Sequence, residues 1–205
     1  MNSTPRREGS WAPAPESTDG EASNPGPCSL VSNNCSSLNT QLKGVMKTQG
    51  DIIGLSEARL TAAGQRHMDI KLREQGYTAL WGAPKVRKRF NSRVPPGGVA
   101  VLLREPLQGK QIMPRTAEGK AFWEAGRLMH VAIPMNGTCV HVIVVYGFTH
   151  AHACPEQRVQ NEALLEEAFR WAAEVGNVPF RDWGLQYDTG QICGVAICAE
   201  ACRVQ

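Results

Sequence analysis

Three residues with oxygen-bearing side chains stand where apolar runs stop. Asn34 follows Leu30-Val31-Ser32-Asn33, Glu57 follows Ile52-Ile53-Gly54-Leu55-Ser56, and Tyr146 follows Val140 to Val145. An amide oxygen and a carboxylate are hard donors, suited to Mg²⁺ or Mn²⁺ and not to a thiolate-preferring ion. A tyrosine hydroxyl beside them can hydrogen-bond a phosphate oxygen. By spacing alone these are ordinary residues, and Glu57 taken singly reads first as a solvated turn acid. A second feature is the run Lys85-Val86-Arg87-Lys88-Arg89-Phe90-Asn91-Ser92-Arg93, the densest positive charge in the chain. It reads equally as a phosphate-contacting loop or nuclear address and as a solvated loop. His150-x-His152-x-Cys154, with Cys193, Cys198 and Cys202, lacks the close pairs of a structural zinc site, which favours loop histidines and small buried cysteines. His130 and His141 lie within alternating strands and read as core or face histidines.

Positioning falls to the elements around these residues. The apolar run 52–55 is too short for a free helix and predicts a buried strand with Glu57 at its exposed end. Ligands of open α/β sheets sit beyond the carboxyl ends of strands, where this acid stands. Ser29 to Asn34 predicts a first strand, and Leu38, Leu42, Val45 and Met46 a helix that Gly50 closes. Ala63, His67, Ile70 and Leu72 predict a helix over 62–75 with Thr61 as N-cap. Tyr77–Gly82 and Val99–Leu103 predict strands, the latter buried on both faces or against a second sheet. Gly97-Gly98 lacks the lysine and spacing of a phosphate-binding loop and reads as a turn. Pro106 and Pro114 predict irregular structure over 104–126. Alternating runs on either side of Asn136-Gly137 predict a hairpin, because both turn residues tolerate positive φ. Pro155 to Val175 predicts a helix, with proline at its first position and Gly176 as its stop. Beyond Phe180 the pattern weakens, and Ile192, Val195, Ala196 and Ala199 predict at most a last helical turn or two. The order of elements gives a layered α/β or α+β fold.

Composition sets the bounds. With 205 residues, of which 42% are hydrophobic and 20% charged, the chain can hold one domain with a core, or one domain plus a tail. Residues 1–27 are rich in Pro, Ser, Gly and Glu, with only Trp11 as a large aromatic, and predict disorder. A net charge of +3 does not by itself mark a nucleic-acid binder. Seven cysteines without paired spacing, and a start without an apolar signal segment, predict reduced thiols in an intracellular protein, nuclear or cytoplasmic. No stretch approaches the roughly 20 consecutive apolar residues of a membrane span.

Four segments in order, Ser32-Asn33-Asn34-Cys35-Ser36-Ser37-Leu38, Asp51-Ile52-Ile53-Gly54-Leu55-Ser56-Glu57-Ala58-Arg59-Leu60, Gly97-Gly98-Val99-Ala100-Val101-Leu102 and Val144-Val145-Tyr146-Gly147, resemble the endonuclease/exonuclease/phosphatase family. They are most similar to the versions found beside reverse transcriptases in retroelements. The resemblance covers residues 28–180. It implies a four-layer αββα sandwich of the DNase I-like type and Mg²⁺- or Mn²⁺-dependent cleavage of phosphate esters, commonly in DNA. By match, Asn34 and Glu57 fall on the family's metal-site Asn and Glu, and Tyr146 on its active-site Tyr. Ser56 stands where a Gln usually precedes the Glu, and Val144 where many members have an Asn. Gly176-Asn177-Val178-Pro179-Phe180 is similar to the approach to the family's Gly-Asp-x-Asn strand, but Arg181-Asp182-Trp183-Gly184 follows, and the closing Ser-Asp-His motif has no match. Residues 181–205 therefore read as a divergent tail on a partial domain. The expected consequence is an inactive or weak enzyme, with poorly covered apolar faces on Val99–Leu103 and Val140–Val145. The alternative is a non-catalytic nucleic-acid-binding or interaction protein that uses Lys85, Arg87, Lys88, Arg89 and Arg93.

Overall fold

Alternation at period two decides which way each strand faces, and here almost every strand has two apolar faces to satisfy. The computed structural model describes residues 28–86, 97–135, 138–149, 151, 153–175, 184–188 and 191–201. The disorder expected over 1–27, the basic residues Arg87, Lys88, Arg89 and Arg93, the Asn136-Gly137 pair, His150, His152 and Asp182 lie outside the described residues.

The elements in chain order are β1 (Leu30–Asn34), α1 (Leu38–Met46), β2 (Ile52–Ser56), α2 (Ala62–Arg73), β3 (Tyr77–Trp81), β4 (Val99–Arg104), β5 (Lys110–Ile112), α3 (Ala117–Glu124), β6 (Leu128–Met135), β7 (Thr138–Tyr146), α4 (Pro155–Glu174), β8 (Gly184–Asp188) and β9 (Gln191–Ala201). They form two sheets, ordered β1-β2-β4-β3 and β5-β6-β7-β9-β8. β1 and β2 run parallel, and the remaining pairs are antiparallel.

Three apolar layers hold the sheets and helices together. On the outer face of the first sheet, Ile53, Leu55, Ala100 and Leu102 meet Leu38, Val45, Met68 and Leu72 of α1 and α2. Between the sheets, Ile52, Val99, Val101 and Leu103 meet Met129, Val131, Ile133, Val142, Val144 and Tyr146. On the far face of the second sheet, Leu128, Ile143 and Val145 meet Leu164, Ala168, Trp171 and Ala172 of α4. The architecture is the αββα sandwich that the four segments imply. The pairing of Met135 with Thr138 gives the expected hairpin between β6 and β7.

The structure departs from the sequence-based expectations in three places. The stretch 104–126 is not irregular throughout: it holds β5 and the eight-residue helix α3. Thr116 caps α3, its hydroxyl accepting from Gly119 N at 3.0 Å, and α3 lies after Pro114, so the proline bounds the helix and does not prevent it. The hint of a helical turn near 192–199 is replaced by β9, which pairs with β7 from Thr138↔Ala201 to Tyr146↔Cys193. β-Branched residues recur there at Ile192, Val195 and Ile197, and the edge of β7 supplies backbone partners that an isolated helical turn lacks. Finally, Val99–Leu103 and Val142–Val145 are buried, not poorly covered, because each strand is sandwiched between apolar layers.

Polar groups fasten the outer helices. Glu167 of α4 is buried and receives hydrogen bonds from Thr116 Oγ1, from Trp171 Nε1 at 2.8 Å and from Arg170 Nη1 at 2.6 Å, which ties the cap of α3 to α4. His130 is also buried. Its Nε2 lies 2.9 Å from Nδ1 of His141 and its ring stacks on Trp171 at 6.0 Å, while burial and the neighbouring imidazole lower its pKa to about 4. Cys28, Cys35 and Cys154 take part in no disulfide. No helix among the described residues is long and apolar enough to cross a membrane.

Candidate functional site

The parallel pairing of β1 and β2 sets Asn34 opposite Ser56, so Asn34 and Glu57 leave neighbouring strand ends on the same side of the first sheet. Asn34 lies exposed, its Oδ1 accepting from Ser36 N at 3.4 Å. Beyond Ser56 the backbone turns sharply: Glu57 and Arg59 both adopt left-handed conformations, with φ of 61° and 50°. Such φ values are uncommon for residues other than glycine and cost on the order of 1 kcal/mol or more each, so something must hold them. The holding group is the Gly97-Gly98 segment. Ala58 N donates to Gly98 O at 2.9 Å and Arg59 N to Gly97 O at 3.0 Å. Gly98 has φ of 95°, and a Cβ there would come within 3.2 Å of Arg59 N, so glycine is required for both conformation and close approach. This pair is the clamp on the Glu57 loop.

The same seam continues to the second sheet. Gly98 N donates to Gly126 O at 3.0 Å, and Tyr146 N donates to Arg127 O at 2.8 Å. Arg127 lies over the Tyr146 ring at 4.5 Å and the Phe148 ring at 4.3 Å and donates to Gly147 O at 2.5 Å. The buried side chain of Asn161 on α4 fixes that loop in turn, accepting from Phe148 N at 2.6 Å and donating to Phe148 O at 3.1 Å. Glu57 and Tyr146 are therefore the two ends of one hydrogen-bonded seam joining the sheets, with Asn34 beside the first. Tyr146 is only 1% exposed and belongs to the inter-sheet core.

The charges on this seam are mainly positive. Glu57 is 7% exposed, and Arg59 donates to its Oε1 through Nη2 in an ion pair. Arg59 Nε is buried and has no hydrogen-bond partner among the described residues. Lys85 donates to Ala125 O and sits against the seam, since a Cβ on Gly126 would lie 2.7 Å from its Nζ and one on Gly97 would lie 3.0 Å away. Burial, with repulsion from Arg127, lowers the Lys85 pKa to about 8. Between that value and the ordinary 10.5 the unfolded chain keeps a proton that the folded chain has released, so this group makes stability rise with pH across that window. The adjacent Cys35 thiol is buried, donates to Ser56 O at 3.3 Å and is pushed up to about 12, chiefly by burial, so it is a structural group and not a nucleophile.

Asn34 and Glu57 have the hard oxygens that Mg²⁺ or Mn²⁺ would take, but their arrangement does not fit an ion. Arg59 holds the carboxylate, and no set of three His, Cys, Asp or Glu residues able to hold a metal exists among the described residues. Of the nucleic-acid candidates, Lys85 lies at the seam, while Arg87, Lys88, Arg89 and Arg93 lie outside the described residues. Arg59 and Arg127 escape a reading of the sequence. Arg59 reaches Glu57 only because two left-handed residues fold the chain back, and Arg127 precedes a strand without any motif.

Comparison with solved structures settles the fold. An AP endonuclease from Archaeoglobus fulgidus superposes with a TM-score of 0.52 at 18% identity, over 77% of this chain and 55% of that one. The fold is that of the DNase I-like nucleases. A 3'-5' exonuclease from Neisseria meningitidis (TM-score 0.48, 20% identity, 71% of this chain and 52% of that one) and an AP endonuclease from Leishmania major (0.47, 16%, 80% and 59%) are also similar. The chain spans somewhat over half the length of these DNase I-like structures. No protein-family model matches it, and no curated protein does.

Proposed function

We propose that this chain is a DNase I-like domain, of retroelement type and comprising residues 28–180 with a divergent segment from 181, that binds the phosphodiester backbone of DNA and hydrolyses it poorly or not at all. The observation that carries this reading is the Glu57–Arg59 ion pair, set on a seam with Lys85 and Arg127. Asn34 and Glu57 stand at the carboxyl ends of the parallel pair β1 and β2, the position at which ligands of open α/β sheets sit. A rim that pairs its buried acid internally and adds two further cations is built for an anion. Arg59 and Arg127 offer planar donors to phosphate oxygens, Lys85 offers a point charge, and the Tyr146 and Phe148 rings fix the Arg127 plane. Asn34 stands at the same edge as a further polar contact. The alternative of a purely interacting protein differs only in the absence of turnover, and the same ion pair favours binding over cleavage. If an intact relative uses Mg²⁺ or Mn²⁺ at these positions, Glu57 and Asn34 are the residues that correspond.

Two measurements test the binding. Affinity for a DNA duplex is expected to fall steeply with salt, because each lysine or arginine on a phosphate releases condensed counterions, at a slope of about 0.9 per contact in log–log terms. Replacing Arg87, Lys88, Arg89 and Arg93 with Ser is expected to flatten that slope. An unchanged slope places the contacts elsewhere. Affinity is also expected to drop as pH rises through about 8, where Lys85 loses its proton. That step should vanish in Lys85→Arg, which stays charged, and a pH-independent wild type would remove Lys85 from the interface.

A further inference from the structure

We infer that the groove between the carboxyl-terminal ends of α1 and α2 is a docking site for this chain's own acidic segment, residues 8–21, with Trp11 as the anchor seated on Leu42 and Met46. The inference is independent of the phosphodiester reading. Gln49, which lines the groove, precedes β2, whereas Glu57 follows it, so the two sites lie at opposite ends of the first sheet.

The chemistry of the groove selects its occupant. Leu42 and Met46 of α1 are only partly buried against the outer core layer, and the space over them measures about 630 Å³. Lys43, Lys47 and Lys71 border it, with Glu74 as the acid among the described lining residues. A polyanion such as nucleic acid would match the ammonium groups and leave Leu42 and Met46 wet, and a purely apolar ligand would leave the lysines unmatched. An apolar anchor flanked by carboxylates satisfies both.

The sequence supplies that ligand in the same chain. Residues 8–27 contain no lysine or arginine; their acids are Glu8, Glu16, Asp19 and Glu21, and their only aromatic is Trp11. A segment of this composition cannot build a core of its own, so its indole is covered only on another surface. Tryptophan is a preferred anchor of interfaces, because it brings a large rigid apolar body with a single N–H to satisfy. Pro13 and Pro15 restrict the backbone beside it, which lowers the cost of ordering on docking.

The place where this segment joins the fold favours the same occupant over a second copy of the chain. Ser29 N and Oγ donate to Asp51 Oδ2 at 2.8 and 2.6 Å, and Asp51 N donates back to Ser29 O at 3.0 Å. Asp51 stands two residues after Gln49, so the described chain begins beside the groove. Seventeen residues separate Trp11 from Cys28, a length that spans on the order of 20 Å as a coil. The anchor therefore reaches the groove without stretching, at an effective concentration of about millimolar that a separate molecule would have to match.

The test is nuclear magnetic resonance on the full chain with labelled methionine methyls, since an indole seated over Met46 displaces its methyl signal through the ring current. That signal is assigned by its loss in Met46→Leu. Wild type is expected to show an Overhauser contact between the Trp11 indole and the Met46 methyl, and Trp11→Ala to move the methyl signal toward that of an exposed methionine. Changing Glu16, Asp19 and Glu21 to Lys is expected to release the indole in the same way. Adding Lys43→Glu, Lys47→Glu and Lys71→Glu to that variant should restore the contact, a rescue that a merely structural role for the lysines would not give. All of these charge changes fall on exposed or terminal positions, and Trp11 belongs to none of the core layers. A Met46 signal that is the same in wild type and Trp11→Ala overturns the inference. A displacement that grows with protein concentration also overturns it, by assigning the groove to a second copy.

Discussion

An abasic-site DNA duplex incubated with the purified protein and Mg²⁺ is expected to be cut at close to the background rate. The acid at the end of β2, Glu57, is engaged by Arg59. The resemblance implies a water-activating Asp and a phosphate-holding His within the Gly-Asp-x-Asn and Ser-Asp-His motifs, for which the sequence shows no match. Loss of a general base removes about 10²- to 10⁴-fold in rate, and loss of one positioned donor to the developing charge about 10²- to 10³-fold. Together these consume most of what a modest nuclease has. Relieving the Glu57–Arg59 pair does not restore either group, so Arg59→Gln is expected to remain near background. Cleavage is scored against Glu57→Ala on both abasic and supercoiled substrates. Robust, Glu57-dependent turnover would sink this expectation and show that another acid has taken the missing role.

The second large effect concerns stability. Leu103→Ala is expected to cost about 2–5 kcal/mol in chemical denaturation, because Leu103 is buried in the inter-sheet layer and truncation leaves a cavity there. Gly109 lies close against it, since a Cβ at that position would meet Leu103 Cδ1 at 2.9 Å, and the neighbouring backbone is therefore already in contact and has little room to collapse further. Ile70 on α2 provides the contrast. It is 60% exposed, and Ile70→Ala is expected to change stability by about 0.5 kcal/mol or less. Similar costs at the two positions would mean that the sheets do not close on each other.

The sandwich was legible in the sequence wherever both faces of a strand are apolar or a helix is long. β2, β4, β7 and α4 announce themselves in this way, and their ends carry Glu57 and Tyr146. α3 did not, because an eight-residue helix after a proline has too few turns to show a period, and its cap at Thr116 is a single residue. β9 did not, because its pairing partner β7 lies some fifty residues earlier and nothing local requires a strand. The site was legible at the level of which residues end strands, and opaque at the level of what they touch. That Glu57 faces Arg59 depends on two left-handed residues and on Gly97-Gly98, which are remote in sequence and adjacent only after folding.

The position of β9 has a consequence for the order of assembly. It lies inside the second sheet, between β7 and β8, and not at its margin. During synthesis the first sheet and the β6–β7 hairpin can form while the ribosome is still decoding α4, but β7 then carries a bare row of backbone donors and acceptors. At about 5–20 residues per second that edge waits several seconds for residues 191–201 to emerge. An open strand edge is a template for pairing with any other extended chain. The nascent protein is thus most exposed to mispairing between the emergence of β7 and that of β9, and a chaperone that covers a strand edge would act on it in that interval.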